Sequence, residues 1–205
     1  MSSVAISGNA SGAGVLTIAA PNTASNFTLT LPAATGTILT GTTPTVTTTM
    51  GVGNATPASS GSGITFPATQ SASTDANTLD DYEEGTWTPS IGGTATYTVQ
   101  SGTYTKIGRL VYVSFALQIT AMGTGSTSTV SGLPFASTAG PRNSIPLCYW
   151  TGTANTLVYL TGYNISGGTT IGFGVTSSVA TNIGDAYTPF VNSTYIIGSG
   201  CYHAS

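Results

Sequence analysis

The main concentration of charge in this 205-residue chain is an acidic cluster, Asp80, Asp81, Glu83 and Glu84. Hard carboxylate oxygens of this kind can bind Ca²⁺, but the ligand spacing of an EF-hand loop is absent. The alternative is a solvated or intersubunit junction in which these carboxylates pair with Lys106 or Arg109. We regard metal binding as the weaker interpretation and predict no cofactor.

Catalysis would need further ionisable groups around this cluster. Two carboxylates can hydrolyse a glycosidic bond, but the only other carboxylates in the sequence are Asp75 and Asp185. A Ser/His/Asp arrangement would have to use His203, the only histidine, and no GxSxG motif is present. We therefore predict that the chain is not an enzyme.

The two cysteines, Cys148 and Cys201, lie far apart and outside any metal-ligand or redox spacing. We predict that both are buried thiols. A disulfide would form only if the fold brought them together.

Aromatic side chains in the last third of the chain suggest another kind of chemistry, the recognition of sugars. Rings near Asn, Asp and Thr suit sugars, which combine apolar C–H surface with hydroxyl edges. For any single ring, a place in the core or in an interface is the commoner alternative. As a group, the candidates for receptor contact are Tyr149, Trp150, Tyr159, Tyr163, Asp185 and Tyr187.

The elements that must position these residues are short runs rich in Val, Ile, Thr and Tyr. Such runs, separated by Gly, Pro, Asn and Ser, follow Leu79 and predict an antiparallel sandwich or barrel. Trp87 is predicted to lie in the core. The clearest alternation, in 110–120, directs one set of side chains to the core: Val111, Val113, Phe115, Leu117 and Ile119.

The first 74 residues carry no charged side chain, and their large apolar residues come in alternating bursts such as Phe27, Leu29 and Leu31. Ordering a chain costs about 1.5 kcal/mol per residue, which so few apolar side chains do not offset. The missing burial must come from another chain. We predict an uncharged N-terminal attachment or shaft arm at 1–78, with a low-complexity linker at 40–63, and a C-terminal knob at 79–205.

Composition excludes several functions. With only three Lys and Arg residues and 4% charged residues overall, the chain lacks the basic surface that binds nucleic acid. No apolar run is long enough to insert into a membrane, and we expect no signal peptide because the N-terminus lacks its basic and apolar regions. An ice-binding or adhesin β-solenoid, suggested by recurrent TxT triplets, is disfavoured because their spacing is irregular.

Three blocks follow one another in the middle of the chain: TLDDYEEGTWTP (78–89), YTVQSGTYTKIGRLVYVSFAL (97–117) and SGLPF (131–135). Their order and spacing resemble a module found in many tailed-bacteriophage fibre, spike and minor structural proteins. Residues 15–39 also look like segments of phage tail proteins. The resemblance implies a virion component, normally a homotrimer, with an N-terminal attachment or shaft portion and a C-terminal β-rich knob.

We therefore expect an all-β protein in which an extended Thr/Gly-rich arm or shaft precedes a compact antiparallel, jelly-roll-like β-sandwich, intertwined as a homotrimer. The expected function is that of a virion structural protein of tail-fibre or tail-spike type. It would bind another virion protein through its arm and contribute to attachment to a host-cell glycan. The alternative is a capsid-attached head fibre or decoration protein with a purely structural role. We expect synthesis in the host cytoplasm and a place on the tail rather than the head.

Overall fold

The computed structural model describes residues 49–70, 73–75, 77–154, 157–177, 184 and 188–205. These residues are all-β and contain no helix, as their sequence predicts. The strands are β1 (Thr49–Gly51), β2 (Gly63–Thr65), β3 (Tyr82–Trp87), β4 (Thr96–Ile107), β5 (Leu110–Ala121), β6 (Thr129–Ser131), β7 (Ser144–Thr151), β8 (Leu157–Asn164), β9 (Thr170–Ser177) and β10 (Tyr195–His203). Within the same ranges, no helix has the length and apolarity that a membrane crossing requires.

Eight of these strands form one antiparallel sheet in the order β3-β4-β5-β10-β7-β8-β9-β6. The sheet curls into a half-barrel, which is compatible with a β-sandwich. Its two ends approach each other where Ser90, just after β3, pairs with Ser131 of β6 through backbone hydrogen bonds of 3.0 and 2.7 Å. The curled sheet thus has an inner face, which is packed, and an outer face.

The central strand β5 confirms the sequence prediction residue by residue. Its alternating apolar side chains lie on the inner face, and each of the five is at most 3% exposed. The strand is paired on both sides, with β4 and with β10. Because side chains alternate across a strand, the intervening positions define the outer face of the sheet.

The core is one cluster that includes residues from both ends of the sheet. Trp87 is buried, as predicted, and its ring lies 5.7 Å from that of Phe115. At the other end, the rings of Phe173 and Phe190 pack edge-to-face at 5.0 Å. Gly102 leaves room for the Trp87 ring beside Phe115, since a Cβ at position 102 would come within 2.5 Å of the Trp87 indole nitrogen.

Two strands extend beyond the short runs of strand-favouring residues that mark them in the sequence. Strand β4 joins the runs TATYTV and TYTKI, which Gln100, Ser101 and Gly102 separate. Strand β3 begins at Tyr82, inside the acidic cluster, because Glu83 and Glu84 pair across the ladder with Lys106 and Thr105. Charged residues can therefore occupy this strand, since their partners lie on its neighbour.

The N-terminal region predicted as an arm, 1–78, lies for the most part outside the described residues, as does most of its apolar sequence. Within the described part, the predicted linker contains β1 and the start of β2, which pair in parallel.

The prediction that both cysteines are buried is wrong: Cys148 and Cys201 are exposed, free thiols. Cys201 falls on the outer side of β10 by simple alternation. Cys148 is the extra residue of a β-bulge in β7, because its neighbours Leu147 and Tyr149 pair with the consecutive residues Gly198 and Ile197 of β10. A bulge inserts one residue and changes which side chains face outward, and residue type alone does not reveal it.

Candidate functional site

The three sequence blocks that resemble the phage module lie together in the structure. The indole N–H of Trp87, in the first block, donates a hydrogen bond of 3.2 Å to the carbonyl oxygen of Thr103, in the second. The ring of Phe135, in the third, packs edge-on against Tyr104 at a centroid distance of 5.4 Å. The blocks therefore form one continuous framework on which other surfaces are placed.

A buried ion pair joins the same three blocks. The ammonium group of Lys106 donates to the carboxylate of Asp81, and both residues are only 4% exposed. The ammonium also lies 3.3 Å from Oε1 of Gln70 and 5.2 Å from the centre of the Phe135 ring. The acidic cluster does pair with Lys106, through Asp81, but the contact is buried within one chain, whereas the sequence predicted a solvated or intersubunit junction. Because both charges are enclosed and paired, this is a structural contact.

The four carboxylates of the acidic cluster do not converge on one site. Asp80 accepts a 2.8 Å hydrogen bond from the backbone N–H of Ser73, which holds the pKa of its carboxyl below the usual value. Alternation along β3 sends Glu83 and Glu84 to opposite faces. Among the residues that the structure describes, no group of three or more His, Cys, Asp or Glu side chains could hold a metal ion.

Each glutamate of β3 is held by a tyrosine. The hydroxyl of Tyr104 donates to Glu83, and that of Tyr82 donates to Glu84. The first hydrogen bond, together with burial, raises the pKa of Tyr104 to about 12, and the second raises the pKa of Tyr82. The carboxylates of Glu83 and Glu84 are therefore acceptors in hydrogen bonds within the domain.

Of the predicted receptor-binding residues, Tyr149 stands on the outer face of β7. Its side chain is exposed, and its ring lies 5.6 Å from that of Tyr195 on β10, nearly perpendicular to it. The neighbouring Trp150 points the other way, is half-buried and packs against the core. These two adjacent aromatic residues therefore lie on opposite faces of the sheet.

The remaining candidates lie elsewhere. Tyr159 is exposed on β8, and Tyr163, further along the same strand, is half-buried with the guanidinium of Arg142 4.3 Å from its ring centre. Asp185 and Tyr187 lie outside the described residues. His203, considered above for catalysis, is exposed at the end of β10.

An open groove of about 330 Å³ crosses the outer face of β4, β5, β10 and β7. We call it the outer groove. No charged residue lines it in the described part of the chain. Its principal side chains are small, hydroxyl-bearing, apolar or aromatic: Thr103, Tyr112, Ser114, Cys148, Ile197 and Ser199.

The Tyr149–Tyr195 pair stands at one end of the outer groove. Ile197, which lines the groove, is paired across the ladder with Tyr149 and lies two residues after Tyr195 on the same face. Tyr112 supplies a further ring, and the hydroxyls of Thr103 and Ser114 hydrogen-bond to each other at 2.9 Å. Rings and neutral hydroxyls suit an uncharged ligand with both C–H surface and hydroxyl groups.

Tyr112 and Tyr195 were not predicted as site residues. A signal was present for both, because period-two alternation sets Tyr112 against buried Val111 and Val113, and Tyr195 against buried Ile196. What alternation does not reveal is that β10 lies between β5 and β7 and so brings these rings to one surface.

Comparison of the chain with protein-family models, with curated proteins and with solved structures finds no match.

Proposed function

We propose that this chain is a structural protein of a tailed-bacteriophage virion, of the tail-fibre or tail-spike type. It assembles as a homotrimer, binds another virion protein through its uncharged N-terminal arm and contributes to attachment to a glycan of the host cell. It acts by binding and has no catalytic role.

The observation that carries this proposal is the arrangement of the three blocks that resemble the phage module. Residues from different blocks contact one another. The indole N–H of Trp87 donates a hydrogen bond to the carbonyl oxygen of Thr103, and the ammonium group of Lys106 lies between Asp81 and Phe135. The pattern therefore corresponds to a physical unit, which supports a resemblance of fold rather than a chance similarity of Thr-rich sequence.

The outer groove supports a neutral glycan as the ligand. Its floor offers hydroxyls, and the Tyr149–Tyr195 pair extends an aromatic surface beyond it. A single open groove of this kind gives weak binding, but three copies on one fibre multiply the effective concentration. The paired carboxylates of the acidic cluster, described above, support binding rather than hydrolysis of that glycan.

Immunogold labelling of virions tests the assignment to the virion. Antibody against this chain should label the tail. Label on the head would favour the alternative of a head fibre or decoration protein, and absence of label from intact and disrupted particles would contradict both.

Adsorption measurements test the attachment role. Tyr149→Ala should slow adsorption of virions to host cells about tenfold or more, because truncating an aromatic anchor that packs on the ligand typically costs about 2 kcal/mol of binding free energy. The matched control is Tyr159→Ala, which removes an equally exposed ring on β8 outside the groove lining. If Tyr149→Ala virions assemble normally and adsorb at the parental rate, the groove is not the attachment site.

A further inference from the structure

A second exposed surface lies on the outer face beside the turn between β4 and β5. Tyr82 pairs across the ladder with Ile107, and Ile107 pairs with Leu110, so their side chains form one row. They are 41%, 49% and 44% exposed. Tyr112, the next outward residue of β5, is 46% exposed. We call these four residues the apolar patch.

The charges around the apolar patch leave it neutral. Lys106, next to Ile107 in sequence, is turned inward and paired with Asp81. In the described part of the chain, two charged side chains are exposed beside the patch, and they have opposite signs: Glu84, which accepts a hydrogen bond from Tyr82, and Arg109 in the turn. A surface that carries one charge of each sign around an apolar centre is complementary to a second copy of itself.

The N-terminal part of the chain joins the domain next to this patch. The ring of Phe66 lies 6.5 Å from that of Tyr82. A few residues on, Asp80 accepts hydrogen bonds from the backbone of Ser73 and the side chain of Gln70. The segment that precedes β3 therefore packs beside the patch.

We propose that the apolar patch is the contact surface between the β domains of neighbouring copies of this chain. The inference deepens the proposed function and rests on the homotrimer in it. Burial of Tyr82, Ile107, Leu110 and Tyr112 would remove from water a row of large apolar side chains that the single chain leaves exposed. The Tyr149–Tyr195 end of the outer face stays available for a ligand.

Sedimentation equilibrium of the full-length chain tests this contact. Leu110→Glu places a carboxylate at the centre of the patch and should raise the dissociation constant of the assembly about 30-fold, the equivalent of about 2 kcal/mol. The matched control is Val158→Glu on β8, which adds the same charge at a position that is 61% exposed outside the patch. Its dissociation constant should equal that of the parent chain.

The two exposed cysteines give a second readout that does not depend on a mutation in the patch. Cys201 pairs across the ladder with Tyr112 and so borders the patch, whereas Cys148 lines the outer groove. In the Cys148→Ser chain, the remaining thiol should react with a thiol reagent at least about tenfold more slowly in the assembly than after dilution to monomer, since a buried thiol is shielded. In the Cys201→Ser chain, the rate at Cys148 should not depend on assembly.

The outcomes separate this inference from the proposed function. If the chain is trimeric but Leu110→Glu leaves the dissociation constant unchanged and Cys201 reacts at the monomer rate, the patch inference is overturned while the trimer stands. If the chain is monomeric yet labels the virion, self-association is overturned and attachment is retained. Protection of Cys201 only in virions of a monomeric chain would assign the patch to a docking protein, and this also overturns the inference.

Discussion

The two ends of the sheet are held together by different kinds of contact. At the end that resembles the phage module, β3 and β4 are joined by polar contacts within the domain, such as the Lys106–Asp81 pair and the Tyr104–Glu83 hydrogen bond. At the other end, β8 and β9 rely on apolar burial, for example of Leu160 and Phe173. Exposed tyrosines of β7 and β8 face outward there.

This difference indicates how a chain with 4% charged residues uses its few charges. Enclosed ionic and polar contacts require a defined geometry, and they concentrate in the framework that fixes the register of β3 to β5. The remaining outer surface is left neutral, and neutral surface can be buried against a partner without desolvating an ion. Removing contacts of each kind should therefore have different effects at the two ends of the sheet.

The largest expected effect comes from Phe115, a buried residue of β5 that belongs to the core cluster. Phe115→Ala should lower the free energy of unfolding by about 3–5 kcal/mol, because it removes a fully buried ring and leaves a cavity beside Trp87. Ser114→Ala, on the outer face of the same strand, should cost less than about 1 kcal/mol. Urea denaturation of both variants measures the difference. Equal losses would mean that the two faces of β5 are not distinct in burial.

A smaller effect is expected from the buried ion pair. Lys106→Met should cost about 3 kcal/mol, because the carboxylate of Asp81 remains buried without its partner. The double variant Lys106→Met with Asp81→Asn should recover part of this loss. At the other end, Arg142→Met removes a cation over the Tyr163 ring and should cost less than about 1 kcal/mol. If Arg142→Met lowered the unfolding free energy as much as Lys106→Met does, the two ends of the sheet would not differ in their dependence on charged contacts.

The smallest effect concerns Tyr202, whose hydroxyl donates to the carbonyl oxygen of Phe135 at 3.0 Å. Burial raises its pKa to about 12. The folded form therefore keeps this proton up to higher pH than the unfolded form, so the resulting stability is present below about pH 10 and is lost as pH rises toward about 12. Tyr202→Phe should cost about 1 kcal/mol at pH 7.

The pH dependence of Tyr202→Phe provides the control. Because the variant has no hydroxyl to ionise at this position, its unfolding free energy should fall less between pH 10 and 12 than that of the parent chain. Tyr104, also with a pKa of about 12, remains in both proteins. Parallel pH profiles for the two chains would show that Tyr202 does not contribute to the alkaline loss.

Periodicity in the sequence predicted much of the sheet. The alternation in β5 identified its buried residues, and Trp87 was placed correctly in the core. These predictions succeed because a strand with one buried face must repeat every two residues. The same rule was less informative where a β-bulge interrupts it, as at Cys148.

The candidate site was less predictable. Tyr149 and Trp150 were grouped with the other aromatic residues of the last third of the chain, yet the two face opposite sides of the strand, and only Tyr149 is on the outer face. The acidic cluster was likewise one feature in the sequence and became four separate contacts. Proximity along an extended chain is therefore a poor guide to proximity of side chains.

The sequence by itself determined the all-β class, the inner face of β5 and the scarcity of charge, because composition and period-two alternation are local properties. The tertiary structure decided which strands are neighbours. Only the insertion of β10 between β5 and β7 brings Tyr112, Ile197 and Tyr149 to one face, and only the curl of the sheet brings Ser90 to Ser131. Such pairings join residues distant in sequence, and their choice depends on the summed burial of the whole sheet rather than on any one strand.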